Sequence, residues 1–295
     1  MTPLTPLSGF MSSDLRGIDV HVHARTKPVP GRPPAGATTA GSFDDFIEKY
    51  RRLRLCAVIF DVDNESVSGI PMRNDAVAEV VAKAPDILMG FCSVDPWKGR
   101  ASVNEIRRCA RDLGMRGVKF QPITQAFFPN DQRFYPLYET CAELGLITTF
   151  HTGTTAIGQG LPGGGGYKLK YGEPIPCLDD VAADFPSLKI IAAHPSWPWQ
   201  EEALAVARHK ANVYIDLSGW APKYFSASLI QHVNTLLQDK CLFGSDYPML
   251  DVERWLTEFD GLAIRDEVRP KIMVDNARKL FDLTATTDKA SRTSS

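Results

Sequence analysis

The chain has 295 residues, of which 44% are apolar, and a formal net charge of −2. This length and composition suit one large α/β domain with a full core, and the balanced charge argues against binding to nucleic acid or to an anionic membrane surface. No run approaches the ~18 apolar residues of a membrane helix. The segment Met1–Ser13 lacks the features of a signal peptide. The six cysteines form no CxxC pair, so we expect reduced, buried thiols in a cytoplasmic protein.

Eight short apolar segments recur along the chain, with helical patterns between most of them. The predicted strands cover residues 18–23, 56–60, 88–94, 117–120, 146–151, 189–194, 213–217 and 241–246. The predicted helices cover residues 43–53, 72–84, 101–113, 134–144, 200–210 and 226–237. This alternation implies parallel βαβ units and predicts a (β/α)8 TIM-type barrel over residues 14–283, followed by a disordered tail, 284–295. A doubly wound open sheet is the alternative, but it would carry a glycine-rich fingerprint after its first strand.

Two histidines end the first predicted strand, in the sequence His21-Val22-His23. Residues i and i+2 of a strand point to the same face, so both imidazoles can reach one ion. Imidazole is the commonest protein ligand for zinc and related metals. The pair alone is suggestive, since a histidine at a strand end more often has a structural role.

The remaining strands add candidate ligands at the same end of the barrel. His151 and His194 end predicted strands 5 and 6, and Asp246 ends predicted strand 8. His21, His23, one further histidine and Asp246 would suit Zn²⁺, with Mn²⁺, Fe²⁺ or Co²⁺ as alternatives. His209 and His232 lie in helical patterns, and we interpret them as surface or packing residues.

Long loops are predicted after strands 1 and 5, over residues 25–41 and 152–177. Both should lie on the C-terminal face, where barrel active sites are built. The glycine run 160–166 favours a lid or substrate loop, with a plain surface insertion as the alternative. A phosphate-binding nest is disfavoured because no Lys-Ser/Thr follows the glycines.

Four motifs together resemble the amidohydrolase superfamily. They are IDVHVH at 18–23, FHTG at 150–153, AHP at 193–195 and GSDYP at 244–248. The residues of these motifs are most similar to those of the branch that includes aminocarboxymuconate-semialdehyde decarboxylase, aromatic-acid decarboxylases and several hydrolases. The resemblance implies that His21, His23, His151 and Asp246 bind one divalent metal and that His194 assists as acid or base. It also implies a homodimer.

Other side chains near the predicted C-terminal opening of the barrel, here called the mouth, are candidates for substrate binding. Lys119 ends strand 4 and could hold a carboxylate or an oxyanion. In binuclear amidohydrolases a carbamylated lysine at this place bridges two metals, but the resemblance here is to the mononuclear branch. Arg25 could pair with a carboxylate, and Trp197 and Trp199 could form an aromatic wall or simply cover the core. Asp19 suits a structural role.

Two departures from the family pattern shape the functional hypothesis. Some aromatic-acid decarboxylases carry Glu where this chain has His21, and aminocarboxymuconate-type enzymes follow their strand-6 histidine with glycines, where this chain has PSWPW at 195–199. We therefore expect a metal-dependent hydrolase in which a metal-activated water attacks a carbonyl-type bond of a small aromatic or carboxylate-bearing metabolite, with a β-ketoacyl thioester as one option.

Three alternatives stay open at the level of sequence. The first is non-oxidative decarboxylation of an aromatic or muconate-type acid at the same site. The second is a metal-free hydrolase, and the third is a catalytically silent barrel that binds metal or acts as a scaffold. The sequence does not identify the substrate.

Overall fold

A computed structural model describes residues 7–24 and 42–283, and within them eight parallel strands follow one another around a barrel. The strands are β1 Gly17–His23, β2 Leu55–Phe60, β3 Leu88–Ser93, β4 Gly117–Phe120, β5 Ile147–His151, β6 Ile190–Ala193, β7 Val213–Asp216 and β8 Cys241–Leu242. Each strand pairs with the next in parallel register. This order confirms the (β/α)8 barrel and excludes the open doubly wound sheet, in which strand order reverses.

The barrel closes where β1 meets the chain just past β8. Val20 N donates to Phe243 O at 3.0 Å, Asp246 N donates to His21 O at 2.9 Å, and His23 N donates to Tyr247 O at 2.8 Å. β8 itself has only two residues, so most of this seam is formed by the turn that follows it. The seam lies directly beside the predicted metal ligands.

Helices separate the strands and cover the barrel. They are α1 Phe43–Leu53, α2 Glu65–Ser68, α3 Asn74–Lys83, α4 Arg100–Asp112, α5 Pro122–Gln125, α6 Tyr135–Glu143, α7 Cys177–Asp184, α8 Gln200–His209, α9 Ala227–Asn234, α10 Val252–Asp260 and α11 Asn276–Leu280. All six predicted helices are present, with ends that differ by at most a few residues. At the start of α1, the Ser42 hydroxyl accepts from Asp45 N and the Asp45 carboxylate accepts from Ser42 N, which forms a capping box.

The core is made of the inward faces of the strands and the helix faces packed on them. All six cysteines are buried and free, as expected. The described part of the chain contains no helix with the length and apolar character to cross a bilayer. The loop after β5 is long, as predicted, and includes short 3-10 turns at Pro162–Gly166 and Leu169–Gly172. The predicted loop 25–41, with Arg25, and the tail 284–295 lie outside the described residues.

Candidate metal centre and active site

His21 and His23 lie together at the C-terminal end of β1. Their ring centroids are 5.3 Å apart, although the register of β1 against β2 shifts between Asp19 and Val22. The His21 side chain is fully buried, and the His23 side chain retains 21% of its exposure. One imidazole of the pair is therefore closed to solvent, whereas the other is partly accessible at the mouth.

Asp246 contacts both histidines from the far side of the barrel seam. Its Oδ1 lies 3.0 Å from His23 Nε2 and 3.4 Å from His21 Nε2. The prediction that a strand continues to Asp246 is wrong: β8 ends at Leu242, and Asp246 lies in the following turn with φ 65°. The conformation of this turn, and not the alternation of side chains along a strand, places the carboxylate beside the histidines.

A buried carboxylate holds that turn against β1. Asp19 accepts hydrogen bonds from Ser245 N at 2.9 Å, Ser245 Oγ at 2.5 Å, Tyr50 OH at 2.7 Å and His21 N at 3.1 Å. Burial raises the pKa of Asp19 to about 7, against the opposing effect of these donors. Asp19 thus has the structural role expected for it, and it fixes the main chain on which His21 and Asp246 stand.

His151 and His194 form the second half of the histidine cluster. His151 Nδ1 lies 3.0 Å from His194 Nε2, and His151 Nε2 bonds to the carbonyl oxygen of Thr154 at 3.0 Å. The prediction that His194 ends strand 6 is off by one residue: β6 ends at Ala193, and His194 follows it with φ 75°. The ring centroids of His21 and His194 are 4.8 Å apart, so the structure brings all four predicted histidines together.

Lys119 is the penultimate residue of β4, lies beneath this cluster and is fully buried. Its Nζ lies 3.4 Å from His21 Nε2 and 5.0 Å from the centroid of the Phe60 ring. Burial lowers the pKa of Lys119 to about 8, against the attraction of Asp216 and Asp246. The side chain is therefore still largely an ammonium at neutral pH and adds positive charge to the floor of the mouth.

The charge states of His21 and Asp246 suit metal ligation. Burial, together with the charge of Lys119, lowers the pKa of His21 to about 3, so its imidazole is neutral at pH 7. Burial alone would raise the pKa of Asp246, but the hydrogen bond and charge of His23 lower it to about 2. A neutral imidazole and an ionised carboxylate are the forms that bind divalent metals.

The donor atoms also fit a divalent cation by position. One ligand atom from each of His21, His23 and Asp246 lies within 4.8 Å of the others, and the same holds for His21, His194 and Asp216. A mixed nitrogen and oxygen set of this kind suits Zn²⁺ and also Mn²⁺, Fe²⁺ or Co²⁺. The residues thus fit a metal, and the donor chemistry leaves its identity open.

Asp216, at the end of β7, is a site residue that the sequence reasoning missed. Its Oδ2 lies 2.8 Å from His21 Nδ1, and its side chain is fully buried. Burial alone would raise the pKa of Asp216, but the charge and hydrogen bond of His21 hold it well below its usual range. The signal was available, because Asp216 is the penultimate residue of the predicted strand 213–217 and so lies near a strand end, as the four histidines do.

The two predicted tryptophans are placed differently from each other. Trp197 is 57% exposed and lines a cavity of about 220 Å³ together with Trp220, Tyr224 and Phe225. The centroids of the Trp197 and Trp220 rings are 6.0 Å apart. Trp199 precedes α8 and is not among the residues that line this cavity. Trp197 therefore belongs to an aromatic cluster whose other members come from the loop after β7, and its role in substrate binding stays a prediction.

Comparison with known proteins gives a family match over nearly the whole fold. A model of the family described as "Amidohydrolase" matches residues 18–283. A solved structure of an uncharacterised TIM-barrel protein from Bordetella bronchiseptica is 27% identical, with a TM-score of 0.69 over 82% of this chain and 83% of that one. A dihydroxybenzoic acid decarboxylase from Polaromonas, solved with bound manganese, is 19% identical, with a TM-score of 0.64 over 92% and 98% of the two chains.

Two curated relatives carry enzyme names. A 2-amino-3-carboxymuconate-6-semialdehyde decarboxylase from Dictyostelium discoideum is 25% identical over 203 residues, which are 59% of this chain and 55% of that protein. A gamma-resorcylate decarboxylase from Polaromonas is 23% identical over 249 residues, which are 71% of this chain and 75% of that protein. The match thus spans only about half of the Dictyostelium protein.

The expectation of a hydrolase is wrong. Both curated relatives named above are decarboxylases, and so is the Polaromonas enzyme of known structure. The departure at 195–199 misled the sequence reasoning, because loops on this fold vary freely while the chemistry resides in the strand-end residues. Comparison favours the alternative that the sequence left open, which is decarboxylation.

Proposed function

The chain belongs to the amidohydrolase family, and from that premise we propose that it is a metal-dependent, non-oxidative decarboxylase of an aromatic carboxylic acid. The observation that carries this proposal is the grouping of His21, His23 and Asp246 around one point, above the buried ammonium of Lys119. The names of its relatives support the reaction class.

We propose that His21, His23 and Asp246 hold one divalent metal and that His151 is the fourth ligand. A metal in this place would supply a fixed positive charge that orients an acidic substrate. Zinc is the ion predicted from the ligand set, and manganese is supported by the solved Polaromonas decarboxylase. Because His151 Nε2 is hydrogen-bonded to Thr154 O, Nδ1, which faces His194, is the ring nitrogen available to bind the metal.

Substrate binding is assigned to the floor and one wall of the mouth. The Lys119 ammonium attracts an anionic substrate, since it is buried where water cannot screen it. Trp197, three residues after His194 in the chain, is 57% exposed and offers a flat apolar surface for an aromatic ring. Arg25 stays a predicted carboxylate partner in the loop after β1, and the homodimer stays a prediction.

The reaction needs one proton delivered to the ring carbon that bears the carboxylate. A new C–H bond forms at that carbon, the C–C bond to the carboxylate breaks with its electron pair left on the ring, and CO2 departs. Asp246 and His194 are two acid/base groups that lie close to His21. Either can carry the proton, and their separate substitution distinguishes the two roles.

Product analysis tests the proposal. Protein loaded with Mn²⁺ or Zn²⁺ is incubated with gamma-resorcylate and related hydroxybenzoates, and released CO2 and the decarboxylated phenol are measured together. We expect the two products in equal amounts, no reaction after chelation, and at least a 1000-fold lower rate in Asp246→Asn. Hydrolytic fragments without CO2, or unchanged turnover in Asp246→Asn, would contradict the proposal.

A further inference from the structure

We propose that Asp216 and Ser218 are positioning residues that set the tautomers of His21 and His194, so that the unprotonated ring nitrogens face the metal position. This inference rests on the proposed metal site and extends it to two residues on β7 and the turn after it. Neither side chain is part of the ligand set proposed above, and both are fully buried.

The first step concerns His21. Asp216 Oδ2 lies 2.8 Å from His21 Nδ1, while Asp216 Oδ1 accepts from the backbone nitrogens of His194 at 3.2 Å and Ser218 at 3.0 Å. A carboxylate is an acceptor only, so the proton between them belongs to His21 Nδ1. His21 Nε2 is then unprotonated, and it is the atom that faces Asp246 and Lys119.

The second step concerns His194. The Ser218 hydroxyl donates to Asp216 Oδ1 and lies 2.8 Å from His194 Nδ1. Because the hydroxyl has one proton and gives it to the carboxylate, it must accept from His194 Nδ1–H. His194 Nε2 is therefore also unprotonated.

The third step joins these two histidines to His151. His151 Nε2 can only donate to the carbonyl oxygen of Thr154, so its Nδ1 is unprotonated and faces His194 Nε2 at 3.0 Å. Two nitrogen lone pairs at this distance repel each other and attract a cation. One buried carboxylate thus presets His21 Nε2 on β1 for metal binding, and through Ser218 it keeps Nε2 of His194 unprotonated beside His151. Fixing the tautomer is the usual role of a partner behind a metal-bound histidine.

The test compares Asp216→Asn and Ser218→Ala with the matched control Asp95→Asn. Asp95 is also fully buried and accepts from backbone nitrogens, of Ser66 at 2.6 Å and Trp97 at 3.0 Å, but it contacts no histidine in the described structure. The readouts are histidine tautomers by ¹⁵N NMR of the metal-free protein and the Kd for Mn²⁺ alone by chelator competition. Neither readout requires turnover.

In wild type we expect His21 and His194 to carry their proton on Nδ1. In Asp216→Asn the amide nitrogen replaces Oδ2 and donates to His21 Nδ1, so the His21 proton moves to Nε2 and the Kd for Mn²⁺ rises about 10- to 100-fold. Ser218→Ala should change the His194 tautomer alone and raise the Kd less. Asp95→Asn should change neither.

Unchanged tautomers in a folded Asp216→Asn variant would overturn the inference, as would an equal rise in Kd in Asp95→Asn. If Asp216→Asn does not fold, the His194 tautomer in Ser218→Ala decides. A wild-type protein that shows these tautomers and binds Mn²⁺ but releases no CO2 would refute the proposed reaction and support this inference, so the two failures are distinguishable.

Discussion

At the scale of single residues, the mouth concentrates ionisable groups that a barrel interior normally excludes. Asp19, Lys119 and Asp216 are all fully buried. Burying a charge is costly unless hydrogen bonds or opposite charges compensate, and each of the two carboxylates receives several donors. This fold therefore tolerates destabilising groups within its strands and at their ends, which is typical of functional sites.

The ion pair between Arg51 and Asp86 gives a pH-dependent contribution to stability. Arg51 donates to both oxygens of Asp86, at 2.7 and 2.9 Å, and this hydrogen bond holds the pKa of Asp86 below its usual value of 3.8. A lowered folded-state pKa stabilises the protein above the unfolded-state pKa, and this stability is lost as the pH falls through the folded-state pKa. We expect Asp86→Asn to lower the free energy of unfolding by about 1 kcal/mol at pH 7, since Arg51 is partly exposed.

Urea unfolding between pH 7 and pH 3 checks this expectation. The difference between wild type and Asp86→Asn should shrink as the pH falls below 3.8. Asp44→Asn serves as control, because Asp44 is exposed and its contact with Lys83 at 2.9 Å lies on the surface. A difference that is constant with pH would refute the assigned role of Asp86.

The sequence predicted the five metal and acid/base candidates because each was a His or Asp at or near a strand end. It placed Asp246 and His194 on strands, whereas both lie in turns with positive φ. Local sequence patterns do not show that β8 ends after two residues, because the turn that follows it is held in place by distant groups such as Asp19. Asp216 also lies near a predicted strand end, but its contact with His21, which is distant in sequence, forms only in the closed barrel.

At the scale of elements, the turn after β7 is packed directly against His194. Gly219 has φ +74°, and a Cβ there would lie 2.4 Å from His194 Nδ1. Gly219→Ala should therefore displace the imidazole. We expect at least a tenfold loss of Mn²⁺ affinity or decarboxylation rate, together with about 1 kcal/mol of lost stability from the backbone strain.

Gly114→Ala separates the two effects of that substitution. Gly114 has a similar φ of +65°, but nothing lies within 4 Å of an added Cβ. It should lose comparable stability, measured by thermal unfolding, and retain metal affinity and rate. Equal activities of the two variants would show that contact with His194 does not matter.

The loops after β6 and β7 together form the aromatic cavity, and Trp197 is its most informative residue. The first loop is fixed in place, since Thr154 N donates to Trp197 O at 2.7 Å. Trp197→Leu should raise KM for an aromatic acid about 3- to 10-fold, the value of one aromatic contact, and leave kcat nearly unchanged. Trp97→Leu, at another partly exposed tryptophan, is the control. An equal KM in both variants would remove Trp197 from the substrate site.

Elements that alternate regularly were easy to predict, whereas short ones were not. Of the helices the sequence reasoning omitted, α2 and α5 have four residues each, and α11 follows a π-helical turn. Segments this short show no full helical period, and their conformation is set by packing. α7 and α10 are longer, but α7 follows a glycine-rich loop and α10 follows an irregular turn. The sequence before each helix therefore gave no clear signal of where it begins.

At the scale of the whole molecule, the proposed metal ligands come from the first strand of the barrel and from the turn after its last strand. His21 and His23 belong to the first strand, and Asp246 follows the last, so a bound metal would bridge the seam that few backbone bonds close. A ligand that binds only the folded state stabilises it by about 2.7 kcal/mol at a concentration 100 times its Kd. Mn²⁺ or Zn²⁺ should therefore raise the Tm and slow amide exchange in β1 and in residues 243–247.

Asp246→Asn is the variant that tests whether this stabilisation acts through the seam. It should fold, lose most of the metal-dependent rise in Tm, and show no added protection at residues 243–247. Asp251→Asn is the matched control, because Asp251 caps α10 five residues further along the chain and an Asn can still cap. A metal effect of equal size in both variants would mean that the ion binds elsewhere, since Asp246 is the only described ligand candidate beyond β8 that contacts His21 and His23.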